Sequence, residues 1–114
     1  MQKFRGLMSA IKRNLQTNPI VETNSQLTIQ LEKGAEAYVA FEKVDENTYN
    51  LVHTEIPEQY QGQGLGRELA KRIFDHLIVQ RSLKLQLSCE FLQRFYFQTL
   101  PTYKGHVIED FTID

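Results

Sequence analysis

The chain has 114 residues, a formal net charge of −1, 41% hydrophobic and 24% charged residues. That is one domain with one modest core and the composition of a soluble globular protein. It exerts no overall pull on nucleic acid or an anionic membrane and has no apolar run near the ~20 residues of a membrane span; a single cysteine, Cys89, excludes an internal disulfide framework and points to a reducing, intracellular setting.

The charge is uneven along the chain. Residues 1–21 hold Lys3, Arg5, Lys12 and Arg13 and no acid, so the remainder carries −5. Phe4, Leu7, Met8, Ile11 and Leu15 fall at helical spacing. An acid-poor amphipathic start is the pattern of a mitochondrial presequence. Ser9 is the one serine there, which is poor for a presequence. The alternative is a basic tail or a short surface helix, ended near Pro19. The division expected is a basic segment over 1–24, flexible or targeting, and a domain over 25–114. The setting expected is cytoplasmic, with mitochondrial import as the alternative.

Leu27, Ile29 and Leu31 alternate with polar residues as a half-buried strand does. Gly34 turns the chain into a second strand, Ala35 to Val44. Asp45-Glu46-Asn47 turns it again, into a third strand from Thr48 to Ile56 that Pro57 closes. Three such strands make an antiparallel meander. Leu65, Leu69, Ile73 and Leu77 then form an i, i+4 row, which predicts a helix from about Leu65 to Gln80 with Arg67, Lys71, Arg72 and Asp75 outermost. Leu83, Leu85 and Leu87 predict a fourth strand. Phe91 to Tyr96 predict a short helix that stops before Pro101. The order is α+β with an α/β-like crossover, so the third and fourth strands should be parallel neighbours in a mixed sheet with helices packed on it.

Between strand and helix stands Gln61-Gly62-Gln63-Gly64-Leu65-Gly66. Glycines there allow positive φ and close approach, and amides opening into a helix N-terminus favour an anion. The run does not fit a P-loop, because Arg67 and Glu68 follow Gly66. It does not fit the dinucleotide fingerprint either, because Arg67 stands where the last glycine belongs. The spacing leaves two readings open: a loop for a phosphate-bearing ligand, or a plain turn.

Four side chains outside the loop carry candidate chemistry. His53 and Glu55 share one strand face, with Thr54 on the other, and can act as a general base pair or as solvated polar groups. Cys89 leads the last helix, where the dipole favours thiolate and nucleophilic use, although Glu90 opposes ionisation. A small buried hydrophobe is its other reading. In the aromatic segment of Phe91, Phe95, Tyr96, Phe97 and Tyr103, mostly core, Tyr96 is the candidate to offer its hydroxyl to a cofactor thiol. His53, His76 and His106 are too scattered for a metal, and none is expected.

Gln61, Gly64 and Gly66 in Gln-x-x-Gly-x-Gly resemble the pyrophosphate loop of the GCN5-related N-acetyltransferase superfamily. His53-Thr54-Glu55-Ile56-Pro57 before the loop, and Cys89-Glu90-Phe91-Leu92-Gln93-Arg94-Phe95 after the helix, resemble its small N-acetyltransferase-domain-containing branch, the animal members most. The resemblance spans about residues 26 to 105. It implies acetyl-CoA (CoA) as cofactor and an unidentified amine or protein as acceptor. It implies that the strand end, with Thr54 and Ile56, meets the pantetheine arm. Gln61, Gly62, Gln63, Gly64, Leu65, Gly66 and Arg67 would cradle the pyrophosphate. Acetyl transfer would then run by direct attack of an amine, with Glu55 or His53 taking its proton, or through an acetyl-thioester on Cys89.

Two departures stand out. Leu100-Pro101-Thr102-Tyr103 replaces the His-Pro-Glu-Tyr common in bacterial and plant members, and Glu90 replaces the proline after the cysteine. Only residues 1–25 precede the first predicted strand, so the helices that shape an acceptor pocket in this superfamily are expected to be missing. The acceptor site would be open, built by a dimer, or absent. A monomer or weak homodimer, without nucleic acid or membrane partners, is expected. The rival readings are a CoA-binding or protein-interaction module without turnover, and an adaptor whose glycines only turn the chain.

Overall fold

The computed structural model describes residues 2–111, with side chains from Met8 to Phe111. Helix α1 (Gln2–Thr17) is followed by strands β1 (Ile20–Glu22), β2 (Gln26–Glu32), β3 (Ala35–Asp45) and β4 (Thr48–Glu55). A 3-10 turn (Glu58–Tyr60) leads to helix α2 (Leu65–Phe74), which runs on as a π-helical turn (Asp75–Gln80). Strand β5 (Lys84–Leu87) and helix α3 (Glu90–Gln98) complete the order. The sheet runs β1-β2-β3-β4-β5, antiparallel from β1 to β4 and parallel between β4 and β5. The expected meander, crossover and mixed α+β sheet all form.

One face of the sheet is apolar. Leu27 pairs with Val39 and Ile29 with Ala37, while Phe41 pairs with Leu51 and Leu51 with Leu87. All of these are buried, and the alternation in the sequence is what puts them on one side. The helices cover that side. Leu65, Leu69, Ala70, Ile73 and Phe74 are the buried row of α2. Phe74 meets Phe95 of α3 and Tyr103 edge-on, each at 5.0 Å between centroids. The other face carries Gln30, Glu36, Tyr38, Glu42, His53 and Glu55, half-buried to exposed.

The N-terminal region departs from its sequence reading. The side chains of Phe4 and Leu7 lie outside the described residues, but Ile11 and Leu15 of α1 are fully buried in the common core. Asn14 and Asn18 donate to the carbonyls of Leu31 and Gln30, each at 2.7 Å. The expected division between 24 and 25 falls in the turn between two paired strands. Strand β1 escaped the sequence reading because Ile20 is half-buried while Val21 and Glu22 are exposed, which leaves no alternation to see. The helix read there as one alternative forms, but it is packed into the core rather than lying on the surface, and an unexpected strand follows it before β2. Arg72 is also corrected. It is not on the outer face of α2: its guanidinium donates to Leu15 O at 2.8 Å and Asn18 O at 2.9 Å, satisfying carbonyls at the end of α1.

Candidate active site

Strand β4 positions the site by a fault in its own pairing. Ala40 pairs with His53 but Phe41 pairs with Leu51, so one extra residue sits on β4. Without that bulge, period two from Leu51 would turn His53 into the core. With it, Thr54 and Ile56 face the helices and His53 and Glu55 face the polar side. The parallel pairing with β5 stops at the same place, at Leu51 and Leu87. The amides of Ser88 and Cys89 both donate to Leu51 O, at 2.9 and 3.1 Å, and the chain then leaves the sheet into α3. Beyond Leu51 the β5-side edge of β4 has no strand beside it.

A cavity of about 420 Å³ occupies that opening. Thr54, Ile56 and Tyr60 form its strand side, and Gln61, Gly62, Gly64, Leu65, Gly66 and Arg67 form its loop side, with Phe91 of α3 across from them. Gly62 and Gly64 have φ of +80° and +79°, a conformation L side chains rarely adopt. Gly64 is the N-cap of α2, and the first helical bond runs from Glu68 N to Gly64 O at 3.4 Å. The amides of Leu65, Gly66 and Arg67 precede that bond and are left for an anion. Gly66 has a different role. A Cβ there would lie 3.0 Å from Phe91 Cζ, so this glycine makes room for an aromatic ring.

The loop is fastened to the strand. Gln61 Nε2 donates to Ile56 O at 2.9 Å, and Tyr60 is buried beneath the turn. The Gln61 side chain therefore holds loop geometry. Gln63 is exposed and does not line the cavity.

Cys89 is the N-cap residue of α3, half-buried and outside the cavity lining, with Sγ 3.5 Å from Thr54 Oγ1. Thr54 thus touches both the cavity and the thiol. His53 Nε2 and Glu55 Oε2 are 2.8 Å apart, so the pair read from spacing does form. It lies on the polar face, turned away from the cavity, with the side chains 55% and 44% exposed. Tyr96 is a correction. It is fully buried, and its hydroxyl donates to Glu109 rather than meeting the cavity. Burial first, and then the Glu109 carboxylate, push that phenol up to about 12. Helical spacing put Tyr96 on the far side of α3 from Phe91.

Sequence reasoning missed Tyr60 and Phe91 as wall residues. Tyr60 stood beside the glycine run and was legible as its support. Phe91 had no local signal, because its partner Gly66 is 25 positions away.

The model of the GCN5-related N-acetyl-transferase family matches residues 26–106, and the chain belongs to that family. It is similar to proteins named NATD1: 35% identical over 72 residues in Gallus gallus, covering 62% of this chain and 64% of that one. For Danio rerio NATD1 the figures are 39% over 59 residues, 52% and 53%. The chain thus spans between half and two thirds of these relatives' length. A GCN5-like protein from Staphylococcus aureus, solved by NMR, superposes with a TM-score of 0.57 at 27% identity, over 83% of this chain and 89% of that one. Family and fold are those that use acetyl-CoA and an acceptor.

Proposed function

We propose that this domain binds acetyl-CoA in the cavity between β4 and α3 and moves the acetyl group to an amine. The observation that carries this reading is continuity. One cavity joins the positive-φ glycines at the α2 N-terminus to Thr54, which touches Cys89 Sγ. The α2 amides would take the pyrophosphate, the unpaired edge of β4 would face the pantetheine arm, and the thioester would lie near Thr54 and Cys89.

From there Cys89 can act as nucleophile. Its Sγ stands at the N-terminus of α3, 3.5 Å from Thr54 Oγ1 at the cavity wall. Sγ attacks the thioester carbonyl carbon, the bond to the CoA sulfur breaks, and that sulfur leaves and takes a proton. An amine then attacks the acetyl-cysteine, the new bond to Sγ breaks, and the amine's proton passes to solvent. In the direct route the amine attacks the thioester itself and His53–Glu55 takes the proton from the polar face. Intact-mass measurement after incubation with acetyl-CoA tests the choice. The thioester route predicts a ~42 Da adduct that Cys89→Ser removes. Acetyl transfer without any adduct selects the direct route.

A second reading, a CoA-binding module without turnover, is favoured by one observation: the candidate base pair faces away from the cavity. Acetyl-CoA binding by calorimetry with neither adduct nor transfer to a broad amine panel would establish it. Absence of binding would sink both readings.

A further inference from the structure

Arg67 and Phe91 are shared walls. On one side they line the cavity just described, and on the other a smaller hollow of about 230 Å³ completed by Arg94, Phe95 and Gln98. Phe91, Arg94, Phe95 and Gln98 follow i, i+3, i+4, i+7, so α3 presents them as one stripe towards the start of α2. Arg67 is already oriented. Its guanidinium donates to Gln98 Oε1 at 2.8 Å and lies 5.6 Å over the Phe95 ring. It is therefore aimed along α3, away from the amides at the head of its own helix.

Two arginines thus line one small hollow. Among the described residues, no carboxylate forms an ion pair with either of them. The chain as a whole is net acidic, so this pair is not a sample of a generally basic surface. Like charges held together, beside a helix N-terminus that also favours an anion, call for a compact multivalent anion. The hollow adjoins the loop end of the cavity, where the nucleotide end of a CoA ligand would emerge.

We infer that this hollow receives the phosphomonoester on the ribose of CoA, with Arg94 and Arg67 as its ligands, so that the chain selects CoA over 3′-dephospho-CoA. The inference rests on the cofactor reading above. The α2 amides suffice for the pyrophosphate, whose charge is spread along the chain. The phosphomonoester carries about −1.5 to −2 on three oxygens and suits two guanidinium forks.

Calorimetric titration of the full chain with CoA and with 3′-dephospho-CoA tests it. The wild type should bind CoA about tenfold more tightly, a preference that shrinks as salt is raised. Arg94→Ala should weaken CoA to the affinity of 3′-dephospho-CoA and leave the latter unchanged, and Arg94→Lys should keep part of the preference. Equal binding of both ligands by the wild type overturns the inference while the cofactor reading stands. So does an Arg94→Ala chain that weakens both ligands alike. No binding of either by the wild type overturns both.

Discussion

The two ends of β4 differ in a way that separates stability from function. At Thr48–Leu51 the strand is paired on both sides, and Tyr49 and Leu51 are buried. Phe41 stacks on Tyr49 at 4.7 Å, and the Tyr49 hydroxyl donates to Glu22 at 2.8 Å while accepting from Arg81 at 2.9 Å. At His53–Glu55 the strand is paired on one side only, bulged, and bordered by a cavity. Eight consecutive residues therefore hold a stretch paired on both sides and packed in the core, and a stretch paired on one side beside a cavity. A β-bulge at the junction is what lets one strand serve both ends. The open half is where a ligand can replace the missing strand.

The contrast can be broken at either end. Leu51→Ala should cost the most. It is fully buried between Phe41 and Leu87, and truncation should remove about 2–5 kcal/mol from the urea unfolding free energy. Gly64→Val should cost about 1–2 kcal/mol through its φ of +79°, because nothing lies within 4 Å of a Cβ there. Its larger effect should be on the ligand: acetyl-CoA affinity in calorimetry should fall by about tenfold or more as the loop is distorted. Retained affinity would reduce the loop to a turn.

Glu22→Gln should act more weakly, and only in one pH range. Burial raises the Glu22 carboxyl, but hydrogen bonds from Tyr49 and Arg81 and the charges of Arg81 and Lys43 outweigh it and hold the group below the ordinary 4.5. A lowered folded pKa stabilises above 4.5 and is lost as pH falls from there through the folded value. The wild-type advantage in melting temperature should therefore be present at pH 7 and fade below pH 4.5. A difference that stays constant with pH would mean the carboxylate charge is not its source. Glu55→Gln should be the smallest on stability, within about 0.5 kcal/mol, since the pair is exposed. If the direct route operates, the same variant should slow acetyl transfer by about 10²-fold or more in a steady-state assay. An unchanged rate would remove Glu55 from the chemistry.

Sequence alone determined the elements whose signal is local. Alternation in Leu27–Leu31 and Leu83–Leu87, the i, i+4 row from Leu65 to Leu77, and turn residues at Gly34 and Asp45–Asn47 specify strands, helix and meander, because side-chain periodicity is written residue by residue. The glycine loop was legible for the same reason, since glycine is the residue that takes the two positive φ values without strain. Tertiary structure decided what depends on distant partners. The bulge that keeps His53 out of the core arises from the register against β3. The ring that needs Gly66 bare comes from α3, and the short β1 is held only by β2. Arg72 and Tyr96 were misplaced because a polar group's side of a helix is set by the acceptor it finds, Leu15 O and Asn18 O in one case and Glu109 in the other. The glycines shape the turn at the head of α2, and the parting of β4 from β5 makes the cavity beside it.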